Sequence, residues 1–310
     1  MDKGRLLALS VVIFLFVALA LSNPGAFLSG YNIGTLLDYA ATYFIAAIGL
    51  TFVIMIGSID LSIGGMLSLL TVAFVLSLNY FGFWAYFITV GLGFLLGLVN
   101  GIVFTKLKIP SFIGTFGTSG VFASLALIIS GGRPIGLHSQ AFSLLNPLSY
   151  ELGIVKGSHI LAFILFGIFF LIQTSTPFGK YVAAIGNSER ATLLSGVKVD
   201  RTKTFCYALS GLSAALASIV LVSRMLSGDP TIGTPYQLQI IATVVVGGTA
   251  LTGGVGGIFN TLLGTFIITL VGNGLYVIGI DVYYQMIITG IITMVAVILT
   301  LDRTKIKIVK

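Results

Sequence analysis

Residues 56–65 read Ile56-Gly57-Ser58-Ile59-Asp60-Leu61-Ser62-Ile63-Gly64-Gly65, and Asp60 is the only charged side chain between Asp38 and Lys106. A stretch so long and so nearly free of charge reads as membrane-spanning, since about 20 apolar residues cross the hydrocarbon core. A carboxylate at the bilayer centre costs roughly 2.5 to 3.5 kcal/mol on insertion scales, so an acid placed there is first of all a functional hypothesis. The glycines around it lower the cost, because they let a helix break and its freed backbone groups find partners inside the protein.

The composition points the same way. Of 310 residues, 57% are hydrophobic and only 8% are charged, whereas soluble domains carry about 25% charge. A single cysteine, Cys206, excludes a disulfide within the chain and any multi-cysteine metal site. His138 and His159 have no partner at ligand spacing, so no metal site is expected. The formal charge of +7 does not indicate a nucleic-acid partner, because the basic residues follow the apolar runs.

Those runs are residues 6–21, 34–56, 61–78, 83–105, 109–129, 159–173, 204–226, 238–251, 258–278 and 282–301. With the N-terminus set in the cytoplasm, thirteen of the sixteen Lys and Arg residues fall on the inner side, and only Arg133, Lys156 and Arg224 lie in or near outer segments. That distribution satisfies the positive-inside rule. The expected fold class is therefore an all-α polytopic transmembrane helical bundle, one domain over residues 1–310, with about 10 transmembrane segments, broken helices and both termini cytoplasmic. Its main connections are a polar cytoplasmic loop, 174–203, and an extracytoplasmic loop, 132–158.

Two runs stay open. Residues 6–21, preceded by basic residues and containing Ala18-Leu19-Ala20, also fit the apolar core of a signal peptide. Residues 238–251 are short for a crossing and lead into a glycine-rich stretch holding Gly247, Gly248, Gly253 and Gly254, which suits a half-helix and a turn. That stretch echoes the first one. Met55 to Gly65 and Val246 to Gly254 both interrupt an apolar run with glycines and hydroxyls ahead of a longer helix, the arrangement that marks a substrate path in transporters. The plainer alternative is that Gly57, Gly64, Gly65 and the later glycines serve as packing or hinge positions where helices approach closely.

Asp60 itself has two readings that are compatible: a cap on the helix beginning near Leu61, and a contact with a transported solute. In the cytoplasmic loop, Asn187 or Ser188 suits an N-cap, Glu189 a first turn and Gly196 a stop. A helix of about two turns is unstable alone, so one that presents Leu193 and Leu194 among charges is expected to dock on a cytoplasmic partner.

The segment Gly57-Ser58-Ile59-Asp60-Leu61-Ser62-Ile63-Gly64 resembles the signature of the ribose/xylose/arabinose/galactose-type permeases of ABC importers. Asn100-Gly101, Lys108 to Ile113, Gly131 to Ile135, Gly186-Asn187 with Ala191 and Ser195-Gly196, Ile241 to Gly257 and Gly272 to Leu275 are similar to later blocks of that family, in order. The resemblance implies the membrane subunit of an ATP-driven, binding-protein-dependent system in a bacterial inner membrane. Its partners would be a second permease chain, a periplasmic or surface solute-binding protein and a cytoplasmic ABC ATPase. It also implies roles by position. Asn187, Glu189, Ala191, Leu194 and Gly196 would contact the ATPase, while Asp60, Ser62, Phe112 and Thr115 would lie near the path. Nothing in the chain matches G-x-x-x-x-G-K-[ST], so no nucleotide cofactor is expected here, and ATP and magnesium would be held by the partner.

Two departures stand out: Ala123 and Gln237 replace an arginine and a glutamate common in the family. Loss of both together avoids stranding one charge in the membrane, and it raises a heterodimer or a less usual ligand, such as a nucleoside, a furanose or a sugar-like signalling molecule. From another class, an ion-coupled secondary transporter would use Asp60 as its ion site. A channel lacks its ring of acids, and an enzyme lacks a close set of acid, base and nucleophile.

Overall fold

The computed structural model describes residues 3–281 and, beyond them, residues 284, 287, 288, 290, 291 and 294. The expected run 282–301 and the C-terminal basic residues Arg303, Lys305, Lys307 and Lys310 therefore lie almost wholly outside the described residues. In chain order the helices are α1 (Lys3–Ser22), α2 (Pro24–Phe27), α3 (Gly30–Met55), α4 (Ile63–Phe81), α5 (Ala85–Lys106), α6 (Ser111–Ser130) and α7 (Asn146–Ser149). They continue with α8 (Gly157–Ser175), α9 (Pro177–Asn187), α10 (Glu189–Leu194), α11 (Val199–Met225), α12 (Gly233–Val246) and α13 (Ile258–Val277).

Among the described residues, seven stretches are long and apolar enough to cross a membrane. One of them, Ile63–Lys106, contains both α4 and α5, which are separated at Gly82 and pack on each other. The chain is thus an all-α polytopic membrane protein. The short run 238–251 takes the half-helix form: α12 stops at Val246 and a glycine-rich turn follows.

Helices α3 and α11 are buried along most of their length, whereas α1, α6 and α8 bury few of their residues. In lipid, helices gain little by hiding apolar surface from one another, so close packing at small residues decides which pairs form. The α5–α11 seam shows this directly. Gly93, Gly97 and Gly101 repeat every four residues along α5, and a Cβ on any of them would collide with the backbone of α11 at Gly211, Tyr207 or Thr204.

Away from the helices, two short antiparallel ladders shape one end of the bundle. Ile135 and Gly136 (β1) pair with Gly228 and Ser227 (β4), tying the long loop to the segment after α11. Glu151 and Leu152 (β2) pair with Lys156 and Val155 (β3). The same end holds a buried ion cluster. Asp38 of α3 takes Lys156 Nζ at 2.8 Å and His159 Nε2 at 2.8 Å, with Arg224 Nε at 4.0 Å. Lys156 and Arg224, two of the three basic residues assigned to outer segments, therefore meet at a single carboxylate, and so does His159.

Candidate functional site

Both interruptions begin with the same helix stop. At the end of α3, Gly57 adopts φ +74°, its N–H donates to Ile54 O at 2.9 Å, and Ser58 N–H donates to Val53 O at 3.1 Å. At the end of α12, Gly248 adopts φ +97°, donating to Val245 O at 2.9 Å, while Thr249 N–H donates to Val244 O at 3.2 Å. Each pair of bonds is a Schellman closure, which needs a left-handed residue just past the helix and so selects glycine. The echo between Gly57-Ser58 and Gly248-Thr249 is structural.

Beyond its stop, the first break is held by side chains. Asp60 is fully buried. Its Oδ1 accepts from Ser62 N at 2.9 Å and Ser62 Oγ at 2.5 Å, and its Oδ2 accepts from Ser210 Oγ of α11 at 2.9 Å. Asn100 Nδ2 of α5 donates to Ser62 Oγ at 2.6 Å. Two α6 hydroxyls complete the set: Ser111 Oγ accepts from Ile59 N at 3.2 Å, and Thr115 Oγ1 accepts from Leu61 N at 2.9 Å. Asp60 thus sits in an Asx turn onto Ser62, the N-cap residue of α4, and does not reach the later free amides of that helix. Among the described residues no cation pairs with it. Three hydroxyl and amide donors satisfy the carboxyl instead, as a buried polar group requires.

The four residues expected near a path separate. Asp60, Ser62 and Thr115 are buried and bonded to one another's segments, while Phe112 is 53% exposed on α6. The glycines separate as well. Gly64 and Gly65 fall inside α4 as packing positions: a Cβ on Gly64 would lie 2.8 Å from Gly233 O and 2.6 Å from Gln237 Oε1, and one on Gly65 would run into Ser119 O of α6. Gly247 packs on Asn260 of α13. Gly57, Gly248, Gly253 and Gly254 have positive φ. Of the replaced charges, Gln237 lies against α4 at Gly64, and Ala123 is one turn beyond Ser119 on α6.

The two breaks touch. Gly254 N–H donates to Met55 O at 2.9 Å, and a Cβ on Gly253 would stand 2.7 Å from Gly57 N and 3.0 Å from Gly186 Cα. Gly186, the last residue but one of α9, lies against Met55 O and Gly254, leaving no room for a side chain. After Asn187 and Ser188 comes α10, six residues and so close to the two turns expected, with Ser188 rather than Asn187 as its cap, accepting from Ala191 N at 3.4 Å. Gly196 at φ +83° follows its end. Leu193 is 59% and Leu194 80% exposed, and Glu189 pairs with Lys203 at 2.7 Å.

Sequence reasoning missed α9 as a helix, Gln173 and the Asp38 cluster. Gln173 Oε1 accepts from Ile258 N at 2.7 Å and so caps α13. The signal for α9 was Thr176-Pro177, a cap followed by a first-turn proline.

Buried crossing helices with two touching breaks beside an exposed short helix are the parts of a membrane transport subunit. Residues 32–297 match the model of a family described as the branched-chain amino acid transport system / permease component, and the chain belongs to that family. It is similar to the ribose import permease protein RbsC of Bacillus subtilis (strain 168), 40% identical over 302 residues, covering 94% of this chain and 90% of that protein. RbsC of Haemophilus influenzae is 38% identical over 293 residues, covering 93% and 90% respectively. The L-arabinose transport system permease protein AraH of Escherichia coli (strain K12) is 33% identical over 311 residues, covering 98% and 91%. No solved structure matches.

Proposed function

We propose that this chain is the translocation subunit of an ATP-driven, binding-protein-dependent sugar importer of a bacterial inner membrane, with ribose as the first substrate to test. The named roles of its relatives support the substrate class. One observation carries the mechanism: Gly186, in the last turn of α9, lies on the junction of both breaks, so exposed α10 is linked to them through Asn187 and Ser188 alone.

A cytoplasmic ATPase holding ATP and magnesium docks on Asn187, Glu189, Ala191, Leu194 and Gly196. Docking there covers two leucines that are otherwise left in water. Movement of α10 shifts Gly186 against Met55 and Gly254, and the first break transmits it to α6 through the Ser111 and Thr115 hydroxyls. Helix α6 presents Phe112 and Phe116 outward and lines the path with its counterpart in a second permease chain. Asp60 is then a positioning residue. It holds α4, α11 and, through Ser62, α5 together at the break, and it does not touch the sugar. Both termini are cytoplasmic, and the binding protein docks on the opposite face, where β1 and β4 join the two outer segments.

The test is uptake of labelled ribose into proteoliposomes containing the chain, its ATPase and its binding protein. Accumulation that requires ATP and the binding protein supports the reading. Uptake that persists without ATP and follows an ion gradient overturns it in favour of a secondary transporter, and ATP-driven uptake of nucleosides alone would overturn the sugar.

A further inference from the structure

We propose that the basic ends of α5 and α11 form a seat for an anionic phospholipid. The glycine seam between these helices is tight as far as Gly101, and beside it lies a cavity of about 350 Å³. Its lining is ordered along both helices. On α5, Leu98 and Ile102 lead to Lys106, each four residues on; on α11, Phe205 stands four residues from Arg201, so both apolar walls run toward a cation at the same end. Between wall and rim lie Thr105 and Thr204, their hydroxyls 3.1 Å apart.

Two parallel gradients from apolar to cationic match one molecule with an acyl chain and a phosphate head. Basic pockets between helices at the membrane border take such heads. Lys106 and Arg201 are exposed, and among the described residues neither makes an ion pair. By contrast Lys203, two residues past Arg201, is committed to Glu189 and lies 4.9 Å from the Phe104 ring centre. Asp200 shares the rim and reduces its charge without removing it. A soluble anion would use the rim and ignore the wall, and a protein partner would have no call for a single polar end. That the site faces the cytoplasmic leaflet rests on the orientation proposed above, but lipid retention is read without reference to transport, so the two fail separately.

Native mass spectrometry of the full-length chain, extracted with its partner subunits into a mixture of phosphatidylglycerol and phosphatidylcholine, tests the seat. Phosphatidylglycerol is expected to be retained in preference. At about five-fold per cation near a membrane surface, K106Q with R201Q lowers that retention by about 25-fold, while R133Q, at the other end of the bundle, leaves it unchanged. D200N raises retention, a gain that misfolding would not produce. Undiminished retention in the double variant overturns the proposal. So does equal displacement by inorganic phosphate, which would leave the apolar wall without a role, or loss of a protein subunit in place of lipid.

Discussion

The two breaks start from the same Schellman stop and then diverge. The first, after Gly57, is cross-linked by side chains from three other helices, centred on Asp60. The second, after Gly248, closes largely on its own backbone, with Gly253 N–H donating to Ala250 O at 2.9 Å and Ala250 N–H to Val255 O at 3.1 Å. A break built from side chains reports the position of every helix that supplies one. A break built mainly from glycines reports fewer of them, here α8 and α13 through Gln173 and Asn260, but it lets a neighbour come within contact of its main chain. The first suits a transmitter and the second a pivot.

The comparison breaks most sharply at the pivot. Gly253→Val puts a branched side chain at φ +82° and into Gly57, combining backbone strain with a clash against main chain that cannot yield. Loss of the folded protein is expected, read as aggregation on size-exclusion chromatography in detergent. Normal folding of that variant would mean the two breaks need not touch.

Next comes the link to the partner. Leu194→Glu places a charge on the most exposed leucine of α10, so ribose uptake should fall by about ten-fold or more, equivalent to about 1.4 kcal/mol of docking. The permease itself should unfold at the wild-type temperature, and ATP hydrolysis should continue uncoupled. Unchanged uptake would detach α10 from the mechanism.

At the transmitter, Asp60→Ala leaves Ser62 N–H and the Ser210 hydroxyl without their acceptor, at a cost of about 3 kcal/mol. Asp60→Asn keeps the acceptor toward Ser62 and can exchange donor and acceptor with Ser210, so its cost should be about 1 kcal/mol. Thermal unfolding in detergent separates them. Uptake by the asparagine variant close to wild type would remove any need for a negative charge, whereas a collapse to the alanine level would restore it. Ser210→Ala is expected to cost as little as Asp60→Asn, about 1 kcal/mol, with slowed uptake if α11 reads the break through this bond.

Much of this was legible in the chain. Nine of the apolar runs correspond to described helices, and the pattern Gly57-Ser58 against Gly248-Thr249 marks both stops. What a glycine is for was not legible. Gly57 serves a dihedral angle and Gly65 a close contact, and the one-letter code is the same for both. Likewise Asp60 stood out because its neighbours in sequence are apolar, but Ser210, which donates to it, is distant in sequence and ordinary in kind, as are Asn100 and Ser111, which hold the residues beside it. Asp38 drew no attention because it sits where a span begins, and only the fold brings Lys156, His159 and Arg224 to it.

Helix α1 packs on α13, where Arg5 Nε donates to Asn260 Oδ1 at 3.1 Å and Leu19 fills the space beside Gly274. Helix α1 thus has its seat on a helix made 255 residues later by that bond. At synthesis rates of about 5 to 20 residues per second, it waits in the membrane for on the order of tens of seconds before its partner exists. Assembly of this protein therefore returns to α1 late, and a chain cut short before α13 would leave that helix without its seat in the bundle.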